Sequence, residues 1–294
     1  MYKYLLVLML VGLMGHDITG QSEKLGFGFR AGASYAKIIG PSEVGPDGED
    51  LESMTNKNGF HIGATFSYKA TDLFGFRGEV VFSQRGSILD YNGPSYYVVG
   101  RYNVLETTVT GNRNQSLKVN NTYFDFPVMV YYKLGIVELS GGFNSSILLS
   151  STGGGSTEID GVSSIGTPTD PTPFSVRLQH NYKSDRAMDA SAESFGVKVD
   201  GFDYTVPSTT GAYYEFTSKD KNLYKTFDFG LVACAAVYIN SGLYVSARYI
   251  HGLTDVDRNE YDVSLQTLNA DGSFVQREDD NKSQAWQFSV GFSF

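Results

Sequence analysis

One cysteine, Cys234, is all the chain has, so no internal disulfide is available, and its place inside an alternating segment marks it as a small packing residue. Cations are also scarce: 23 Lys and Arg stand against 32 Asp and Glu, a net charge of −9. That balance removes nucleic acid from the expected partners, because gripping a phosphate backbone needs a basic surface. Long hydrophobic runs are missing as well. Past the first twenty residues no apolar stretch approaches the ~20 residues of a membrane helix, and Leu231 to Ile239 is among the longest. Such a chain crosses a bilayer only as a closed β-barrel, where backbone polar groups are paired between strands.

What is abundant suits that route. Glycine (33), tyrosine (20) and phenylalanine (20) are plentiful while charged residues are only 19%, a profile for β structure with many turns and aromatic anchors. At the start of the chain, Lys3 followed by the apolar stretch Leu5 to Met14 reads as a secretory signal, with cleavage near Gly20. Residues 1–20 are therefore assigned to export and 21–294 to one β domain. No cysteine follows the apolar stretch, so a lipoprotein anchor is not expected.

Period-2 alternation is clearest from Phe227 to Val256. Phe227, Phe229, Leu231, Ala233, Ala235, Val237 and Ile239 alternate with Asp228, Gly230, Val232, Cys234, Ala236 and Tyr238. After the turn Asn240-Ser241-Gly242 the pattern resumes, which is the signature of an antiparallel hairpin. Similar segments start at Leu25, Phe60, Phe74, Tyr123 and Val137, and one closes the chain with Trp286, Phe288, Val290, Phe292 and Phe294 on one face. This spacing predicts eight strands. Pro127 lies inside the fourth and predicts a local bulge or a missing ladder bond there.

Alternation alone does not say which face points outward. Three observations favour an apolar exterior. Connections alternate between tight ones (70–73, 133–136, 240–242) and long ones (39–59, 87–121, 150–223, 257–283), as in outer-membrane barrels with short periplasmic turns and long outer loops. The polar face is mostly Gly, Ser and Thr, with few of the Lys and Glu that a water-facing strand carries. Aromatics recur near strand ends (Tyr35, Phe60, Tyr68, Phe74, Tyr132, Trp286, Phe294), as interfacial girdles require. The expected fold is an all-β, eight-stranded antiparallel up-and-down transmembrane β-barrel. Phe229, Leu231, Val237, Leu243 and Val245 are expected to face lipid. The longer polar segments are expected to continue partly as strands and hairpins above the membrane, including pieces at Phe174–Val176, Phe195–Val197 and Tyr213–Phe216.

Several stretches resemble the PorT-like outer-membrane β-barrel family of Bacteroidota. They are Gly78-Glu79 with Ser83-Gln84-Arg85-Gly86, Phe124-Asp125-Phe126-Pro127, Phe227-Asp228-Phe229-Gly230-Leu231-Val232, and Arg248-Tyr249 with Gly252-Leu253-Thr254. The resemblance covers the strands, with Cys234 where that family commonly has glycine. It implies an eight-stranded outer-membrane barrel and, in one branch, a role in type IX secretion or gliding.

An eight-stranded barrel is just wide enough for its own side chains, so open diffusion through it is not expected. Counting up from the tight turns places Arg30, Glu79, Asp125 and Arg248 at similar depth, with Asp228, Arg77 and Glu138 as further members of an interior charge network. Trp286, Phe288, Phe292 and Phe294 read as a C-terminal insertion signal for the barrel-assembly machinery. The mature histidines His61, His180 and His251 form no Ser/His/Asp set by spacing, so no enzyme activity, cofactor or metal is expected, and a lipid-modifying enzyme is the weakest alternative. The acidic groups Asp255-Asp257-Glu260 and Glu278-Asp279-Asp280 lack a calcium-loop pattern. The expected partners are outer-membrane lipid and, at the 150–223 segment, a protein or glycan. The function that follows is structural or partner-binding, with an accessory subunit of a secretion or uptake machine as the alternative.

Overall fold

A computed structural model describes residues 24–100, 106–164 and 173–294; the expected signal segment 1–20 lies outside them. The strands are β1 (Leu25–Ile39), β2 (Glu52–Lys69), β3 (Phe74–Val99), β4 (Thr107–Leu134), β5 (Val137–Ser163), β6 (Phe174–Asn181), β7 (Ser194–Val199), β8 (Phe202–Pro207) and β9 (Thr209–Thr210). They are followed by β10 (Phe227–Tyr238), β11 (Leu243–Asp255), β12 (Val263–Leu268), β13 (Phe274–Gln276) and β14 (Lys282–Ser293).

Eight of these strands pair in the order β10-β11-β14-β1-β2-β3-β4-β5, and β5 pairs again with β10, so the sheet closes on itself. Every pairing around this ring is antiparallel. The last strand completes the circuit, because β14 lies between β1 and β11 with Trp286 opposite both Tyr35 and Tyr249. Closure leaves no free edge in the ring.

The side-chain faces follow the alternation of the sequence. Along β10 the burial pattern alternates without a break, with Phe227, Phe229, Leu231 and Val237 exposed while Asp228, Val232 and Tyr238 point inward. The exterior is a belt of exposed apolar side chains that includes Phe29, Ile62, Val128, Phe143, Trp286 and Val290. Leu243 is only half-exposed, at the edge of that belt.

One end of the ring carries tight turns. The β10–β11 turn is held by the Asn240 side-chain oxygen, which accepts from the N–H groups of Gly242 (3.0 Å) and Leu243 (2.8 Å). In the β4–β5 turn Gly135 takes φ of +58°, a left-handed conformation that favours glycine. Opposite Pro127 the β3–β4 ladder is interrupted between Gly78↔Val128 and Val81↔Asp125 with its register unchanged, as expected for a residue that cannot donate. The register shifts in β4–β5 fall instead between Thr110 and Asn112 and between Thr122 and Tyr123.

The other end is elaborated. The 87–121 segment is mostly strand, since β3 runs to Val99 and β4 starts at Thr107, paired across Val99↔Thr107. Within 150–223, β5 continues to Ser163, β6 adds to it, and β7 and β8 form a separate hairpin. Tyr213 to Phe216 is not a strand; it forms a turn tied to Ala187 by a single bridge at Tyr213.

This outer region has its own core, in which Val99, Val109, Ile159, Val176, Val199 and Val206 are at most 1% exposed. Each such aliphatic side chain contributes about 1.5–3 kcal/mol by leaving water. A second apolar cluster is formed by Leu117, Val119, Tyr123, Leu148, Tyr182 and Tyr224.

Candidate functional site

The inward side chains of the ring carry three ion-paired groups at successive depths. Nearest the tight turns, Arg77 donates to both carboxylate oxygens of Glu138 at 2.5 and 3.0 Å, and the Tyr238 hydroxyl donates to Glu138 at 3.1 Å. The guanidinium also lies over the ring of Tyr131. Deeper in, Glu79 sits between two arginines: Arg248 donates to it at 2.6 Å, and Arg30 lies at 3.8 Å. Arg30, Glu79 and Arg248 are all nearly or fully excluded from solvent.

His61 joins this second group. Its Nε2 is 2.7 Å from the Ser289 hydroxyl, its Nδ1 is 3.1 Å from the Ser34 hydroxyl, and Arg30 also donates to Ser289. The third group lies towards the outer mouth. Arg85 donates to Asp125 at 2.9 Å, is 3.6 Å from Asp228, and stacks 4.1 Å over the ring of Tyr123. The hydroxyls of Ser83 (2.5 Å) and Thr254 (2.9 Å) donate to Asp125 and Asp228 respectively.

This arrangement differs from the single layer expected from the sequence. Asp125 does not join Arg30, Glu79 and Arg248, because β3–β4 pairing sets it opposite Val81, and it turns to Arg85 instead. Asp228 belongs with that same arginine, and Arg77 and Glu138 form a pair of their own. Arg85 is the interior residue that the sequence reasoning missed. Its signal was present, since it continues the Arg77, Glu79, Val81, Ser83 face of β3 by one more step.

Arg77 and Arg85 are eight residues apart on β3, or ~26 Å along the strand at ~3.3 Å per residue. Barrel strands tilt by ~40°, so the groups span ~20 Å across the membrane, most of an apolar band ~25 Å tall. Buried charges persist only when paired and hydrogen-bonded, and each of these acids has an arginine.

The outer loop between β11 and β14 holds a second cluster. The Asn281 amide nitrogen lies 3.2 Å from Asp257, 3.1 Å from Asp262 and 3.0 Å from Asp279. Burial and the nearby Asp262 charge push Asp257 up to about 8, and burial together with Asp279 raises Asp262 to about 7 despite Arg277. Arg277 is committed to Glu52 (2.7 Å) and Asp279 (2.9 Å). Of the acidic residues flagged in the sequence, Asp257 and Asp279 thus meet at Asn281, while Glu260 pairs with Lys221, Asp280 with Lys282 and Asp255 with Lys225. Among the described residues, no three His, Cys, Asp or Glu side chains are arranged to hold a metal ion.

The three histidines stay apart. His61 is inside the ring, while His180 lies beside the Tyr182 hydroxyl (3.1 Å) with its pKa lowered by burial to about 4. His251 stacks with Tyr249 on the outer face of β11.

A closed antiparallel ring with an apolar exterior and an ion-paired interior defines a β-barrel protein of the outer-membrane type. The family model for outer membrane protein beta-barrel domains matches residues 19–258. The chain belongs to that family, and its place is the outer membrane.

No curated protein sequence matches the chain. Among solved structures, it is similar to Ail, the attachment invasion locus protein of Yersinia pestis, in complex with the heparin analogue sucrose octasulfate, at 12% identity and a TM-score of 0.36, covering 92% of this chain and 99% of that one. Neisserial surface protein A is 10% identical with a TM-score of 0.32, covering 91% and 97%. OprG from Pseudomonas aeruginosa is 10% identical with a TM-score of 0.33, covering 92% and 95%.

Proposed function

We propose that this protein is a non-catalytic outer-membrane barrel of eight membrane-spanning strands, closed inside by its own side chains, that binds a protein or glycan partner through its outer region. The tight turns then lie in the periplasm and the β3–β6 extension projects outward. Export by the 1–20 segment and insertion through an aromatic C-terminal signal (Trp286, Phe288, Phe292, Phe294) belong to the same reading.

The observation that carries it is the stack of three arginine–carboxylate groups, Arg77–Glu138, Arg30–Glu79–Arg248 and Arg85–Asp125–Asp228, with the apolar cluster that includes Tyr123 packed against the Arg85 group. An interior filled in this way leaves no aqueous path of the kind wider barrels have. His61 has its two ring nitrogens facing the Ser34 and Ser289 hydroxyls, and it reads as a hydrogen-bonded member of the packed interior. Partner binding is supported by the separately packed core of the outer region, which gives β6 to β8 a fixed shape.

Reconstitution of the folded protein into planar bilayers is expected to give no conductance steps, and stable open-channel steps would refute the closed interior. Purification of the intact protein from native membranes is expected to bring down a stoichiometric partner. Secretion-machine components among the captured proteins would narrow the reading to the PorT-like role, and glycan-only capture would exclude it.

A further inference from the structure

A cavity of about 200 Å³ lies inside the outer region, between the outward extensions of β4, β5 and β6 and the segments 211–224 and 257–281. Aromatic side chains make up much of its wall, among them Tyr182, Tyr214, Phe216, Tyr224 and Tyr261. They pack edge to face in pairs, with ring centroids 4.9 Å apart for Tyr182–Tyr224 and 5.2 Å for Phe216–Tyr261. The rings therefore hold one another in place.

The charges on this wall do not balance. Five carboxylates (Glu52, Asp90, Glu215, Asp257 and Asp262) line it against two arginines, and burial keeps His180 neutral. Each arginine is already matched: Arg113 lies 3.3 Å from Glu215, and Arg277 lies 2.7 Å from Glu52. Among the described residues Asp90, Asp257 and Asp262 form no ion pair. Asp257 and Asp262 share the Asn281 amide nitrogen instead, at 3.2 and 3.1 Å, with Asp279 a third claimant at 3.0 Å. One amide has two N–H groups, too few for three carboxylates. Burial, and then the neighbouring acids, push Asp257 up to about 8 and Asp262 to about 7, so bound protons offset part of their charge. A cation at this wall would replace those protons.

We propose that this cavity is a binding site for a small organic cation, an amine with an apolar body, its charge meeting the Asp257 and Asp262 carboxylates and its body lying against the aromatic rings. The rings serve the same charge, because the face of an aromatic ring attracts a cation. The volume sets the size. An apolar cavity of about 150 Å³ admits benzene, so about 200 Å³ leaves room for one ring and a few further atoms. An anion would add to an existing excess of negative charge. A bare metal ion suits the wall poorly, since the carboxylates gather on the Asn281 amide rather than converging as a set of ligands.

The test titrates the intact folded protein in detergent near pH 8 with benzylamine, with benzyl alcohol of the same shape, and with benzoate. Binding is read by saturation-transfer NMR and by the thermal unfolding midpoint. Saturable benzylamine binding that raises the midpoint is expected, about tenfold tighter than benzyl alcohol for the charge-assisted contact, with benzoate the weakest. Asp257→Asn combined with Asp262→Asn keeps the side-chain shapes and should bring benzylamine down to the strength of benzyl alcohol, which is itself unchanged. No saturable benzylamine binding to the unmodified protein, or benzyl alcohol or benzoate binding as tightly as benzylamine, would overturn the proposal. So would a double variant that keeps the preference for benzylamine. Asp262→Asn alone is the second variant, expected to weaken benzylamine severalfold, and full-strength binding by it would count equally against the site.

Discussion

Replacing Glu79 with glutamine isolates the interior acid that sits between two arginines. Glu79 is the acid facing both Arg30 at 3.8 Å and Arg248 at 2.6 Å, and all three residues are at most 5% exposed. The substitution keeps size and a hydrogen-bonding oxygen but leaves two buried guanidinium groups without their counter-charge. A unit-charge pair near 4 Å is worth about 4 kcal/mol at an effective dielectric constant of about 20. One-sided removal of a buried partner costs about 3–5 kcal/mol. Because glutamine still accepts from Arg248, the expected loss is at the lower end, about 3 kcal/mol.

The assay is urea unfolding of the protein folded in detergent or lipid vesicles, followed by heat-modifiable gel migration. A double variant, Glu79→Gln with Arg248→Met, should recover part of the loss, since it removes one of the two unpaired guanidinium groups and leaves only Arg30 without its counter-charge. Glu260→Gln on the exposed Lys221 pair is the control and should cost about 0–1 kcal/mol. A Glu79→Gln loss below about 1 kcal/mol, no larger than the control, would refute the idea that this ion-paired interior holds the ring together.

Three further outcomes follow from the same geometry. Asp125→Asn should destabilise more than Asp228→Asn in the same unfolding assay, because Asp125 takes the 2.9 Å bond from Arg85 and the 2.5 Å bond from Ser83 whereas Asp228 is 3.6 Å from that arginine; the reverse order would show that distance does not rank the two acids. The outer region should resist proteolysis better near pH 5 than near pH 9: folded Asp257 and Asp262 titrate at about 8 and about 7 against an ordinary 3.8, so they bind more protons folded than unfolded and their contribution is lost as pH rises through that window. Asp257→Asn should flatten the dependence, and an unchanged slope would remove these carboxyls as its source. Gly291→Ala should cost about 1–3 kcal/mol by overpacking, since an added methyl would sit 2.2 Å from the buried Tyr244 ring, whereas Gly78→Ala meets nothing within 4 Å and should be close to neutral.

The inner part of the fold was readable because the ring faces two solvents that differ sharply. A strand with lipid on one side and a packed interior on the other must alternate, and β10 does so at every position. That contrast ends where β3 leaves the bilayer. From Tyr96 to Val99 both faces of the strand are buried, because outer segments cover what would otherwise be the exterior, so period-2 counting loses its signal. The same physics hid the second core and the cavity, whose walls come from segments far apart in sequence.

The interior charges were half-legible. Their inward direction follows from the alternation, which Arg30, Glu79, Asp125, Asp228 and Arg248 all obey. Their grouping depends on strand stagger, which no count along a single strand contains. Counting from the turns put Asp125 beside Glu79, while the β3–β4 register puts Asp125 opposite Val81, two residues beyond Glu79, where the Arg85 side chain reaches it.

The central claim is that the exterior of the ring faces lipid, and the lone tryptophan of the sequence reports on it directly. Trp286 lies on the outer face of β14, 47% exposed, beside Tyr249 and Phe288. In vesicles of lipids with brominated acyl chains, its fluorescence should be strongly quenched while aqueous iodide has little effect. Efficient iodide quenching with no response to brominated lipid would contradict the account, because it would put the apolar belt in water.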